Sequence, residues 1–405
     1  MTMSSPTGDH PDQEELEVPD MKKLAIRGAL LGLLLGLVVV TSGAVQRRTG
    51  GNSVYKSLGT FSEVLGLVRN NYVEPADTKK LFDGAFAGIT GALDPSCDYV
   101  SPEKLQAFKT FIDRTPGGVG IVLTRRGGYP AAAAVVPGSP AADAGFKGGE
   151  FIAVIGGKPT RGLALWETES LLVGAAGTSV ELSILRPGKT RRENVKLVRK
   201  PFVYPSPKVD QRGEVAIFHP VRISKETAGA LDGLLAKRPG TLIVDLRGSG
   251  GDDLDAAAAI GARFAGAGVS FAEEQLRQGE PKKWITPASS SRYSGPLAVL
   301  TDGGTAGTAE VLAGFLAEKV KAKTVGEPTS GLAGRRRLVL LPSGGGLYLT
   351  VVRYRPGGAA KAIDGSGIEP VEEVYSRDTS EKDGKDPILD RALELLESSA
   401  LKKAA

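Results

Sequence analysis

The hydrophobic rhythm of the chain changes repeatedly, and each change marks a boundary. First comes an unbroken apolar run, Gly28 to Val45, "GALLGLLLGLVVVTSGAV", eighteen residues without a charge. That length is just sufficient for a helix to cross a bilayer, and core helices seldom run apolar on every face. Residues 54–112 then place apolar side chains at helical spacing. Phe61, Val64, Leu65 and Val68 share one face of "SLGTFSEVLGLVRNNYV", and a second helix is expected over "DTKKLFDGAFAGITGAL". Pro95 and Pro102 in "LDPSCDYVSPEKLQAF" break the pattern before another short helix.

Between 113 and 200 the period shortens. "GVGIVLTRR", "AAAAVV", "GEFIAVIGG", "TSVELSILRPG" and "RRENVKLVRK", separated by Gly and Pro, predict a small β-rich domain with one helix over Ala164 to Val173. From 201 to 380 strands and helices alternate: "GEVAIFHPV", "SKETAGALDGLLAKR", "GTLIVDLRGSGG", "DLDAAAAIGARFAG", "GPLAVLTDGGTAG" and "TAEVLAGFLAEKV". "KAKTVGEPTSG" and "GIEPVEEV" read as further strands, "RRRLVLLPSGGGLYLTVVRYR" as a hairpin, and 386–402 as a final amphipathic helix. Repeated β-then-α units predict an α/β core of parallel strands covered by helices. Ligands of such sheets gather at the carboxyl ends of strands, where "RGSGG" and "DGGTAG" both fall.

Charge and composition narrow the function. A net charge of +5 spread over 405 residues is no nucleic-acid footprint. The first 27 residues form an acidic tail with Asp9, Asp12, Glu14, Glu15, Glu17 and Asp20. Lys22, Lys23 and Arg27 precede the apolar run, which favours a cytoplasmic tail and a single-pass anchor with the bulk of the chain outside. Arg47 and Arg48 on the far side weaken that asymmetry, and Ser42 and Ala44 also match a signal-peptidase site. One cysteine, Cys97, excludes an intrachain disulfide and a cysteine-rich metal site. Two histidines, His10 and His219, leave almost no material for zinc or a Ser-His-Asp triad, and His219 before Pro220 reads as a structural strand-end residue in preference to a catalytic one. Asp252, Asp253 and Asp255 open a helix, where the macrodipole accounts for them. No metal or cofactor is expected.

"PGSPAADAGFKGGEFIAVIGG" resembles the PDZ domains of bacterial envelope proteases, with Glu150 where those usually have Asp. Gly118, Val119, Gly120 and Ile121 in "GGVGI" are placed to turn several N–H groups toward one point, a nest for a terminal carboxylate. The incoming peptide would add as an extra strand. The order of membrane segment, "LDP", PDZ-like domain, "VDLRG", "TAE", "VGEPT" and "GIEP" resembles the tail-specific, or carboxyl-terminal processing, serine protease family over nearly all of residues 55 to 398. The resemblance implies a Clp-protease/crotonase-like core with an inserted PDZ domain, and endoproteolysis near protein C-termini by a serine nucleophile and a lysine base.

Aligned on Glu310, however, the family's nucleophile position is Gly307, its base is Leu332, and the glutamine that helps hold the lysine is Arg336. The oxyanion-side loop is reduced to Gly248, Gly251 and Asp252, and an inward Asp252 would repel a developing oxyanion. Glycine supplies no nucleophile, leucine no proton acceptor, and arginine is always protonated. Thr305, Thr308 and Ser330 are the substitute hydroxyls, and Lys319, Lys321 and Lys323 lie away from the base position. The expectation is an inactive envelope pseudoprotease that binds protein C-termini or unstructured envelope polypeptides, as adaptor or as regulator of an active protease. An active serine-type endopeptidase using Thr308 is the alternative, and a structural envelope scaffold the second.

Overall fold

The computed structural model describes residues 51–113, 118–201, 204–363, 365, 367–375 and 386–404. The acidic tail and the Gly28–Val45 run lie outside the described residues. Among the described residues no helix is long and apolar enough to cross a membrane. The chain divides into two units, residues 1–78 and 79–405. In the first, α1 (Gly51–Asn71) is the helix that the apolar spacing predicts.

The second unit opens with α2 (Thr78–Gly91, of which only Thr78 falls in the first unit), β1 (Asp98–Val100) and α3 (Leu105–Ile112). β1 is too short for its period to announce it. Residues 118–200 then fold as one antiparallel sheet with two helices: β2 (Ile121–Arg126), β3 (Tyr129–Val135), α4 (Pro140–Asp143), β4 (Phe151–Ile155), β5 (Lys158–Pro159), α5 (Leu165–Leu172), β6 (Ser179–Leu185) and β7 (Glu193–Val198). The sheet order is β2-β3-β4-β6-β7, so β2 has a partner on one side only. Val119, Leu123, Ile152, Leu165, Leu182 and Ile184 fill its core. α4 starts where Ser139 accepts from Ala142 N at 3.3 Å, with Pro140 in the first turn.

The remaining elements are β8 (Lys208–Arg212), β9 (Val215–His219), α6 (Lys225–Leu235), β10 (Thr241–Asp245), α7 (Leu254–Ala265), β11 (Ser270–Gln275), β12 (Lys283–Ile285), β13 (Leu297–Thr301), α8 (Thr308–Phe315), β14 (Lys323–Gly326), β15 (Arg335–Leu340), β16 (Gly346–Pro356), β17 (Glu372–Glu373) and α9 (Pro387–Ala404). The central sheet runs β17-β14-β13-β10-β9-β8 and is parallel from β17 to β9, as β-then-α units require. β8 is an antiparallel edge. Its sequence, KVDQR, is exposed throughout, so no apolar alternation reveals it. The strand expected over "GIEPVEEV" shrinks to Glu372–Glu373. A second, antiparallel sheet pairs β1, β16, β11 and β12, with β15 also on β16.

Charges close the carboxyl ends of β9 and β10. Burial alone would raise the Asp245 carboxyl, but hydrogen bonds from Arg247 and His219 outweigh it and hold the pKa down to about 2. Arg247 Nη2 sits 2.6 Å from Asp245 and 2.9 Å from Asp386, which in turn caps α9 through Leu389 N at 3.1 Å. His219 Nδ1 lies 3.3 Å from Asp245 and its Nε2 3.1 Å from Asp210, the structural strand-end role expected from its position.

Candidate active site and chain-end loop

β13 ends in the "TDGGTAG" turn, and α8 starts immediately after it. Gly307 caps α8 with φ 60° and ψ −130°, the sharp strand-to-helix elbow on which hydrolases expose a nucleophile. Only glycine fits here. A Cβ at 307 would overlap the carbonyl oxygen of Gly251. That same oxygen accepts from Thr308 N at 3.1 Å, so a donor that would face an oxyanion is already used by the protein's own backbone. The other glycine of the loop, Gly248, gives its N–H to Asp302 Oδ1 at 2.9 Å. Asp252 does not point inward. Its side chain is 84% exposed and lies 3.3 Å from Arg222, so the loop carbonyl of Gly251, and not a carboxylate, occupies the site.

The candidate hydroxyls differ in their engagement. Thr305 Oγ1 donates to Leu246 O at 2.9 Å and accepts from Asp302 N at 3.1 Å. Ser330 Oγ donates to Thr305 O at 2.9 Å. Thr308 Oγ1 is buried without a hydrogen-bond partner among the described residues, and so is Ser249 Oγ. Leu332 is half-buried, and Arg336 is exposed on β15 with its guanidinium 5.5 Å from the Tyr348 ring centre. The recess that Leu332 and Arg336 line with Asp94, Thr350 and Arg353 encloses about 10 Å³, room for a single water.

The residue that organises this end of the sheet is Glu310, which the sequence used only as a landmark. It is fully buried and accepts four hydrogen bonds: Gly307 N at 3.1 Å, Thr329 Oγ1 at 2.6 Å, Gly331 N at 2.7 Å and Leu332 N at 2.8 Å. Thr329 Oγ1 also receives Ile368 N at 2.8 Å. "TAE", "GEPT" and "GIEP" are thus three arms of one hydrogen-bonded cluster. Burial pushes the Glu310 carboxyl up to about 7, and the four donors oppose that rise. The signal in sequence was the glutamate at the third helical position, a capping-box spacing.

β3 lies across these turns. A Cβ on Gly304 would stand 2.9 Å from Ala134 Cβ, and the alanine-rich strand leaves that approach open.

The 118–121 loop is held from three sides by its carbonyls. Gly118 O accepts from Lys200 N at 3.1 Å, Val119 O from Ala141 N at 2.9 Å, and Gly120 O from Val136 N at 2.8 Å. Gly118 N is spent on Lys200 O at 3.4 Å, whereas the N–H groups of Val119 and Gly120 have no partner among the described residues. All three residues are buried. Ile121 follows as the first residue of the open-edged β2.

Gly120 has φ 78°, and a Cβ there would run into the Ser139 side chain. Gly120→Val is therefore expected to displace the loop and destabilise the protein by roughly 2–4 kcal/mol, from a β-branched residue at positive φ plus overpacking. Urea denaturation of the variant beside the wild type measures this, and an unchanged midpoint would contradict it.

The fold and site define a class: a mixed α/β frame with a sharp, glycine-capped strand-to-helix elbow at the carboxyl end of its parallel sheet. Residues 215–374 match the model of peptidase family S41. The carboxy-terminal-processing protease of Bartonella bacilliformis is 28% identical over 327 residues, covering 78% of this chain and 75% of that protein. The carboxy-terminal processing protease CtpA of Bacillus subtilis is 27% identical over 342 residues, covering 80% and 72%. Among solved structures, a photosystem II D1 C-terminal processing protease shares the fold at a TM-score of 0.62 and 22% identity, over 76% of this chain and 85% of that one. The 215–374 segment thus matches peptidase family S41, and most of the chain is similar to carboxy-terminal processing proteases.

Proposed function

We propose that this protein is a membrane-anchored pseudoprotease that binds the free C-termini of extracytoplasmic polypeptides through its PDZ-like 118–200 segment. One observation carries the reading. The carbonyls of Gly118, Val119 and Gly120 are all paired, while the N–H groups of the buried Val119 and Gly120 have no partner among the described residues, at the head of an open strand edge. Orphaned buried N–H groups are rare in folded proteins, and two side by side have the chemistry of a carboxylate nest. A peptide adding to β2 would end there, and charge-assisted hydrogen bonds to its carboxylate are roughly twice as strong as neutral ones. As a holder of chain ends it would act as an adaptor, or present clients to an active protease.

Fluorescence anisotropy with paired peptides, identical except for a free or amidated C-terminus, tests this. The free acid is expected to bind at least about tenfold more tightly, as the loss of one charge-assisted pair implies. Equal affinities would remove the carboxylate site and leave the scaffold reading.

The second reading, an active endopeptidase, has one observation in its favour: Thr308 Oγ1 is buried with no partner among the described residues. Cleavage that survives purification and vanishes in Thr308→Ala would establish it. The anchoring part of the proposal rests on the Gly28–Val45 run and its preceding cations. Protease added to spheroplasts should digest the chain beyond residue 50 and spare the acidic tail, and protection of the whole chain would reverse the orientation.

A further inference from the structure

The chain-end loop is packed against the wrong end of a helix for an anion. α5 ends at Leu172, and a Cβ placed on Gly118 would stand 3.0 Å from the Leu172 carbonyl oxygen. A helix C-terminus presents unpaired carbonyls equivalent to about half a negative charge. That field opposes a carboxylate bound on the neighbouring N–H groups of Val119 and Gly120.

Arg199 answers it. Its Nε donates to Leu172 O at 3.2 Å and its Nη2 to Leu171 O at 2.8 Å. Its Nη1 reaches Thr178 Oγ1 at 3.0 Å and Ser179 O at 3.3 Å. Every one of these acceptors is uncharged. The side chain lies against Gly174, where a Cβ would come within 2.9 Å of its Cδ and Nε. The next residue, Lys200, grips Gly118 through its backbone and spends its ammonium on Asp143 at 3.3 Å. One dipeptide, Arg199-Lys200, therefore holds both the helix end and the loop, and the arginine charge has no acidic partner among the described residues.

We propose that Arg199 is the positioning residue that makes this loop selective for a free C-terminal carboxylate. By bonding the last carbonyls of α5 it neutralises the negative helix end, so that the unpaired N–H groups face a chain end with a net positive field. The inference rests on the chain-end reading of residues 118–121. Arg199 acts through the helix and does not touch the ligand.

The test uses the full-length chain and the paired free-acid and amide peptides. Arg199→Gln keeps N–H donors for the helix end but removes the charge. It is expected to weaken free-acid binding about fivefold, the size of a favourable helix-terminus interaction, and to leave amide binding unchanged. Arg199→Lys should retain most of the free-acid preference. Should Arg199→Gln fail to fold, the wild type still decides: its free-acid preference should fall with added salt while amide binding stays level. If the wild type itself binds both forms equally, the chain-end reading fails and Arg199 is not at issue. If the wild type discriminates and Arg199→Gln does so just as strongly, or loses both forms alike, the role assigned to Arg199 is overturned.

Discussion

Purified full-length protein incubated with unfolded polypeptides is expected to produce no cleavage, and rebuilding the dyad as Gly307→Ser with Leu332→Lys is expected to leave it inactive. The first half follows from the proposed pseudoprotease reading, in which Gly307 and Leu332 stand at the nucleophile and base positions: removing both from a serine hydrolase costs on the order of 10⁶ in rate. The second half follows from the structure. A side chain at 307 would collide with the Gly251 carbonyl, and that carbonyl already takes the N–H of Thr308. The 248–252 loop would have to turn its peptide away before an oxyanion had a donor. Time-resolved mass spectrometry of both proteins decides the matter, and turnover by the double variant would show that the loop gives way readily.

Glu310→Ala is expected to cause the largest loss of stability of any single change at this site, about 4 kcal/mol, since unsatisfied buried donors cost about 1–3 kcal/mol each. Four donors lose their acceptor together, and the Thr329–Ile368 arm of the cluster loses its anchor. Chemical denaturation measures the loss, and a cost under about 1 kcal/mol would mean that the cluster is held by packing alone.

The glutamate also makes stability depend on pH. Its folded pKa of about 7 lies above the ordinary value of 4.5, chiefly through burial, so the folded state holds a proton that the unfolded chain releases. The stabilisation from this group is complete below about 4.5 and is lost as pH rises through about 7. The stability of the wild type relative to Glu310→Gln should accordingly fall across that window. A rise instead would show that the four donors keep the carboxyl ionised.

Most of the parallel core was legible in the chain because its strands and helices are long, apolar and regularly alternating. β9, β10 and β13 bury nearly every residue, α7 buries most of its residues, and α8 is buried on every face. The edge strand β8 and the short β1 were not legible, since five exposed residues and three isolated ones carry no period. That glycine stands at 307 and leucine at 332 is likewise a matter of residue identity, read directly from the sequence.

What the sequence could not determine is what stands opposite Gly307 in the fold. Asp252 was the natural candidate from its position in the loop, yet its side chain turns to solvent and to Arg222, because an exposed ion pair spares it burial beside backbone carbonyls. The Gly251 carbonyl takes the place instead, a role no residue type advertises. The convergence of "TAE", "GEPT" and "GIEP" on one carboxylate, and of Arg199 on a helix end 27 residues before it, joins segments far apart in the chain. Local pattern reports which residues favour helix or strand. Which backbone groups are left unpaired depends on every neighbour at once, and only the folded chain brings those neighbours together.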